Sequence, residues 1–237
     1  MSTKYRAHRF NLKPFSKPYV IVIAGYVGSG KSAVAVSLSK SLENAPILFF
    51  DHYEKYIEWP QDMNRWIKEG ADPNQIRIPR LKEDLLSLLQ GIPITDPLEG
   101  NAIAPSKYIL IEEPSGRERG EIREYIDWVV YVDVPQDVCV IRLVERVIDM
   151  EVWNAKGSFE GETKEDLVHQ LNAVATWITH YQRTRPMYML GSQMAQQHAN
   201  IVVNGMKTVK ELTTEILNEI EDRQAIGHKQ MERKEFT

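Results

Sequence analysis

The sequence predicts an α/β fold in which a parallel sheet of about five strands is covered by helices on both faces, with a small lid. Two observations carry this. Short runs dominated by apolar residues, YVIVIA, PILFF, KYILIEE, WVVYVDV and ANIVVN, alternate with stretches of helical periodicity. Strands of this kind, buried on both faces and separated by helices, fit a parallel sheet, because parallel neighbours must be joined by crossovers. At 237 residues the chain suits one large domain, or one domain with a movable insert, and is long enough to bury a sizeable core.

Each element follows from its own residues. YVIVIA, beginning at Tyr19, runs directly into GYVGSGKS at 25–32, where Gly25 is followed four residues later by Gly30-Lys31-Ser32. This is the spacing of a phosphate-binding loop between a buried strand and a helix, which makes the fold one of the P-loop NTPase type. Gly28 and Gly30 let successive backbone N–H groups turn toward one anion, and the helix KSAVAVSLSKSL adds its positive N-terminal end. Gly28, Ser29, Gly30, Lys31, Ser32 and Ala33 are the expected nucleotide contacts, with Lys31 reaching the β and γ phosphates and the Ser32 hydroxyl binding Mg²⁺. PILFF then ends at Asp51, whose carboxylate at a strand tip suits a base that takes a proton from a substrate hydroxyl; a solvated strand end or a helix cap is the alternative.

From 53 to 97 no comparable strand occurs. QDMNRWIKEG and PRLKEDLLSLLQG read as helices, each closed by a glycine, and the segment is expected to form a helical acceptor-binding insert. Tyr53, Tyr56, Trp59 and Trp66 make it rich in aromatic residues, which suits either stacking on a substrate ring or ordinary packing. KYILIEE offers Glu112 and Glu113 at a third strand end, where a metal-associated acid is expected; strand alternation leaves both open, and Glu112, the first after the apolar run, is preferred. After WVVYVDV the stretch 135–150 is helical and carries Arg142 and Arg146 on one face. These arginines fit either a clamp on the transferring phosphoryl group or a solvated face paired with Glu145 or Asp149. The polar break at 150–163 is the expected lid, and a long helical stretch runs from Lys164 to about Leu190. Arg183 and Arg185 fit either phosphate contact or a helix C-terminus. ANIVVN ends at Asn204, and VKELTTEILNEIEDR closes the domain as an amphipathic helix. That helix is explained by a core role, and a homo-oligomer stays open. The domain is drawn as 20–222, between a basic arm at 1–19, with five Lys or Arg and no acidic residue, and a polar tail at 223–237.

Composition narrows the partners. A net charge of −4 gives no electrostatic case for a nucleic acid polymer and makes a small phosphorylated ligand the easier partner. The single cysteine, Cys139, excludes an intramolecular disulfide and fits a core thiol in a reducing compartment. The histidines and Cys139 show no metal-ligand spacing with one another. The sequence has no run apolar enough for a membrane span and no secretory signal, so no membrane partner and a cytoplasmic location are expected.

These motifs together resemble the uridine kinase and phosphoribulokinase-like branch of the P-loop kinases, over about residues 20–220. The resemblance rests on GYVGSGKS, on FFDHYEKY in the place of that family's Asp-Ser-Phe-Tyr motif, on LKEDLLSLLQGIPITDP, YILIEEP and IDWVVYVDVPQDVCVIRLVERVI, and on RPMY followed by ANIVVNG. It implies an ATP- and Mg²⁺-dependent transfer of the γ-phosphoryl group to a hydroxyl of a small, nucleoside-like or other acceptor. By position it implies Asp51 as general base, Ser32 and Glu112 near Mg²⁺, Arg142 and Arg146 around the phosphates, and Asn204-Gly205 beside the adenine. The expected acceptor contacts are Tyr53 and Trp59, from the aromatic segment, and Asp72, from the resemblance. The sequence departs from the family at two places. Of the Asp-His-Pro-Asp segment that holds the ribose, GADPNQIRIP keeps only Asp72-Pro73, and DPLEGNAIAPSKY lacks the His and Arg of the base-reading hairpin. A reading of another class, suggested by the altered acceptor segments and the basic arm, is a nucleotide-binding regulatory module whose ATP-bound form is read by a protein partner. A third, an NTPase acting on water, lacks support from any further motif.

Overall fold

The computed structural model describes residues 17–148 and 164–235. The expected lid and almost all of the basic arm therefore lie outside the described residues. Five strands form one sheet in the order β2-β5-β1-β6-β7, and every neighbouring pair is parallel. In chain order these are β1 (Tyr19–Gly25), β2 (Ile47–Phe49), β5 (Tyr108–Glu112), β6 (Trp128–Asp133) and β7 (Ile201–Asn204). They correspond to the five apolar runs. A separate antiparallel hairpin joins β3 (Ile94–Thr95) to β4 (Ala102–Ile103), at the place where the sequence lacks the family's base-reading residues.

Helices α1 (Lys31–Ser41), α2 (Met63–Lys68), α3 (Pro79–Leu89), α4 (Gln136–Ile148), α5 (Lys164–Gln197) and α6 (Val209–Glu235) complete the fold. Two of them outrun the sequence expectation. The helix expected to end near Leu190 continues to Gln197, and the tail expected from 223 continues the helix to Glu235. Pro186 sits inside α5, where it removes one backbone donor but does not end the helix.

Strand alternation divides the core into two layers. Ile21 and Ile23 of β1 pack on one side with Val34 and Leu38 of α1, Cys139 of α4, and Leu212 and Ile216 of α6. Val20, Val22 and Ala24 pack on the other with Leu81, Leu85 and Leu88 of α3 and Ala195 of α5. The helix positions 81, 85 and 88 are spaced as one buried stripe, which explains why α3 lies flat against the sheet. A smaller cluster of Trp66, Ala71 and Ile76 holds the insert together and rests on Met187 and Leu190 of α5.

One ion pair is enclosed by this packing. Arg119 donates from Nε to Glu113 Oε2 at 2.8 Å and from Nη2 to Glu113 Oε1 at 3.1 Å, and its Nη1 donates to the Ile76 carbonyl at 2.6 Å. Glu113 is fully buried, and its Oε1 also accepts the backbone N–H of Ser115 at 3.0 Å. The pair thus ties the end of β5 to the insert. Among the described residues no helix is long and apolar enough to cross a membrane.

Two substitutions test this account of the core by chemical denaturation. Leu85→Ala, at a fully buried site of α3, should cost about 2–5 kcal/mol of unfolding free energy. Glu113→Gln leaves the Arg119 charge buried without its counter-ion and should cost about 3–5 kcal/mol; a loss well under 1 kcal/mol would show that the pair does not hold the insert.

Candidate active site

All five strands run in one direction, so their carboxyl ends gather along one edge, and the glycine loop leaves the central strand there. The loop turns back through a bond from the Ser29 N–H to the Tyr26 carbonyl at 3.0 Å. Gly28 and Gly30 adopt φ of 82° and 90°, in the left-handed region that favours glycine. At Gly28 there is a second reason: a Cβ would lie 2.5 Å from the Cys139 carbonyl oxygen and 2.9 Å from Leu143 Cγ. The loop is therefore seated directly on α4, and Cys139 is a packing residue beneath it, its thiol pushed up in pKa chiefly by burial.

The first turn of α1 carries no acidic residue, and no side chain caps it. Its backbone N–H groups are thus left for an anion. The Ser29 hydroxyl is buried without a hydrogen-bond partner, and no atom lies within 4 Å of the Cβ position of Gly30. An uncapped helix start, an orphaned hydroxyl in the loop and open space at Gly30 fit a phosphate group. Lys31 completes the donor set. Its Nζ lies 3.3 Å from Glu112 Oε1 and 3.4 Å from the Tyr26 carbonyl.

The adjacent glutamates at the end of β5 have opposite environments. Glu113 is consumed by Arg119, whereas Glu112 pairs with Lys31 and lines a cavity of about 370 Å³ together with Gly28, Gly30, Ser32, Ala33 and Asp51. Burial pushes the Glu112 carboxyl up in pKa; the Lys31 ammonium opposes this, and the nearby Asp51 charge adds to it. Of the two glutamates left open on sequence, only Glu112 lines the cavity. Asp51 stands at the start of the 3₁₀ segment Phe50–Tyr56 that follows β2, rather than on the strand itself.

The cavity brings together some of the expected residues and not others. Arg146 reaches it from α4, while Arg142 bonds from Nη1 to the Ser29 carbonyl at 3.5 Å and bears on the loop from outside the cavity lining. Trp59 lines it, but Tyr53 does not: that ring is buried in the core and its hydroxyl donates to Asp84 at 3.1 Å. Asp72 is also displaced from the expected role. Its carboxylate accepts from the backbone and side chain of Asn74 at 3.0 and 2.8 Å, capping the 3₁₀ turn Pro73–Gln75, outside the cavity lining. Asn204 and Gly205 are likewise outside it. The Gly205 N–H donates to the Asp133 carbonyl at 2.7 Å, and a Cβ there would lie 2.3 Å from Val134 Cγ2, so this turn is folded against the end of β6. Arg183 and Arg185 sit within α5 rather than at its end, and both are exposed.

Sequence reasoning missed the wall supplied by α5. Met187, Tyr188, Gly191 and Ser192 line the cavity. Their spacing of one, four and five residues is that of one helix face, so the signal was there once the helix was known to pass Leu190. It also missed Glu54 and Ile57, which line the cavity three and six residues after Asp51.

No family model matches the chain. Among curated proteins, the chain is 29% identical over 202 residues to a uridine kinase of Pasteurella multocida, covering 78% of this chain and 84% of that protein. It is 27% identical over 202 residues to a uridine kinase of Cronobacter sakazakii, with 78% and 85% covered. Against a longer uridine kinase of Saccharomyces cerevisiae it is 29% identical over 164 residues, 62% of this chain and 32% of that protein. Among solved structures, a possible uridine kinase from Bacillus stearothermophilus aligns with a TM-score of 0.45 at 18% identity, over 80% of this chain and 90% of that one. Through its ordered motifs and these curated relatives, the chain is similar to the uridine kinase-like P-loop kinases.

Proposed function

We propose that the protein is an ATP- and Mg²⁺-dependent phosphotransferase that moves the γ-phosphoryl group to a hydroxyl of a small acceptor. The observation that carries this reading is the meeting of Lys31, Ser32, Glu112 and Asp51 in one cavity, at the mouth of a loop built to hold an anion. The curated uridine kinases support the reaction class.

The loop N–H groups and the start of α1 would hold the nucleotide's phosphates, with Lys31 at the β and γ positions. Among the described residues no cluster of three His, Cys, Asp or Glu side chains could hold a metal. Mg²⁺ would therefore be held by Ser32 and Glu112 together with the phosphates, where it would supply charge neutralisation. Asp51, on the same cavity, would accept the proton of the acceptor hydroxyl as the oxygen attacks. Arg146, reaching in from α4, would stabilise the negative charge that spreads over the phosphoryl oxygens. Positioning and charge stabilisation account for most of such a transfer, which is why cations and backbone donors dominate one end of the cavity.

The test is Mg²⁺-dependent ADP formation from ATP against a panel of nucleosides, sugars and other small alcohols. Lys31→Ala should lower acceptor-dependent turnover by at least about a thousandfold and weaken ATP binding. Asp51→Asn should lower turnover by about a hundredfold or more while ATP binding holds. Full turnover by Asp51→Asn would remove it as the base; ATP binding with no acceptor-dependent turnover would count against the kinase reading.

A further inference from the structure

Beyond the loop, the cavity is walled by Phe50, Ile57 and Trp59 from the insert side and by Met187 and Tyr188 from α5. Three ring systems and two aliphatic chains make this half a compartment for a flat or apolar body. The charges in it that lack an ion-pair partner are of one sign. Asp51 and Glu54 line it, three residues apart on a 3₁₀ segment, where the spacing places them on one face. Neither side chain has an ion-pair partner among the described residues.

The cations on the cavity are accounted for elsewhere. Lys31 pairs with Glu112, and Arg119 is held in the wall by Glu113 and the Ile76 carbonyl. Arg146 comes from α4, three residues after the Leu143 on which Gly28 packs, and the proposed reading assigns it to the phosphates. Both carboxylates act on the same ring. The Tyr188 hydroxyl is pushed up in pKa first by burial, and the charges of Asp51 and Glu54 push it in the same direction.

Resting on the kinase reading, we infer that Glu54 selects the acceptor: an alcohol on a flat or apolar body that bears no negative charge and presents a hydrogen-bond donor, neutral or cationic, to the Glu54 carboxylate. A second anionic group on the acceptor would face two carboxylates and no unpaired cation at this end, so phosphorylated sugars, nucleotides and carboxylic acids are selected against. A cationic group gains from both the carboxylates and the ring faces. Asp51 serves the reacting hydroxyl, and Glu54 positions the rest of the molecule.

The experiment measures binding apart from turnover. The full chain, loaded with Mg²⁺ and a non-hydrolysable ATP analogue at pH 7, is titrated by ligand-observed NMR with 4-(hydroxymethyl)benzoate, 1,4-benzenedimethanol and 4-(aminomethyl)benzyl alcohol. These share one body and differ in the charge of one substituent. The amine and the diol should bind more tightly than the carboxylate, the amine by about tenfold or more, and Glu54→Gln should narrow that interval severalfold. Glu54→Lys should bring the carboxylate level with the amine or ahead of it. The inference is overturned if the carboxylate binds as tightly as the amine to the unsubstituted protein, if neither amine nor diol binds, or if the order is unmoved by both Glu54 variants. Binding in the expected order with no phosphoryl transfer to any alcohol would sink the kinase reading and leave the selectivity standing; transfer to anionic acceptors in preference would do the reverse.

Discussion

Burial of the central strand on both faces is the constraint from which the rest follows. Val20 to Ala24 are fully enclosed between two helical layers, so β1 has no polar outlet along its length. The chain leaves the sheet only after Gly25, and the parallel direction of all five strands sets the other strand ends on the same edge. Phe49, Glu112 and Asp133 end their strands on this edge. Chemistry collects there because the remainder of the sheet is closed to it. The glycine loop could still fall away from this position, and the close approach of Gly28 to Cys139 and Leu143 is what holds it down on α4.

Glu112 and Glu113 show how one residue of register separates a side chain on the cavity from one in the wall. Their side chains leave the end of β5 toward different surroundings. Glu112 meets Lys31 and open cavity; Glu113 meets a guanidinium inside the wall. Arg119 also lies with its guanidinium carbon 5.3 Å from the centre of the Phe50 ring, so the structural pair fixes the back of a ring that the cavity uses. The ion pair is thereby a support for the site as well as a tie between β5 and the insert.

The architecture was legible in the sequence because it is written in short-range pattern. Five apolar runs gave five strands, and the glycine spacing gave the loop and the helix after it. The meeting of Lys31, Ser32, Asp51 and Glu112 on one cavity was legible because backbone position at the sheet edge and the start of α1 decides it. The site was not legible where a tertiary partner decides. Tyr53 and Trp59 are both aromatic residues of one segment, yet an acceptor at Asp84 draws Tyr53 into the core and leaves Trp59, 45% exposed, on the cavity. Asp72 carries the residue type expected of a ligand group, but Asn74 two residues later supplies donors that bend it into a local cap. Asn204-Gly205 sits at a strand end like the others, and its turn closes onto Val134 instead of opening toward the cavity.

The cavity that results carries groups of both kinds: loop N–H groups, the start of α1, Lys31 and Arg146 suit anions, and Asp51 and Glu54 do not. On the proposed reading, a nucleotide's phosphates would be drawn to the loop and an uncharged acceptor would be left the compartment lined by Trp59 and Tyr188. Burial, more than the nearby Asp51 charge, pushes the Glu112 carboxyl up in pKa at this point of the cavity, and Lys31 pulls it back.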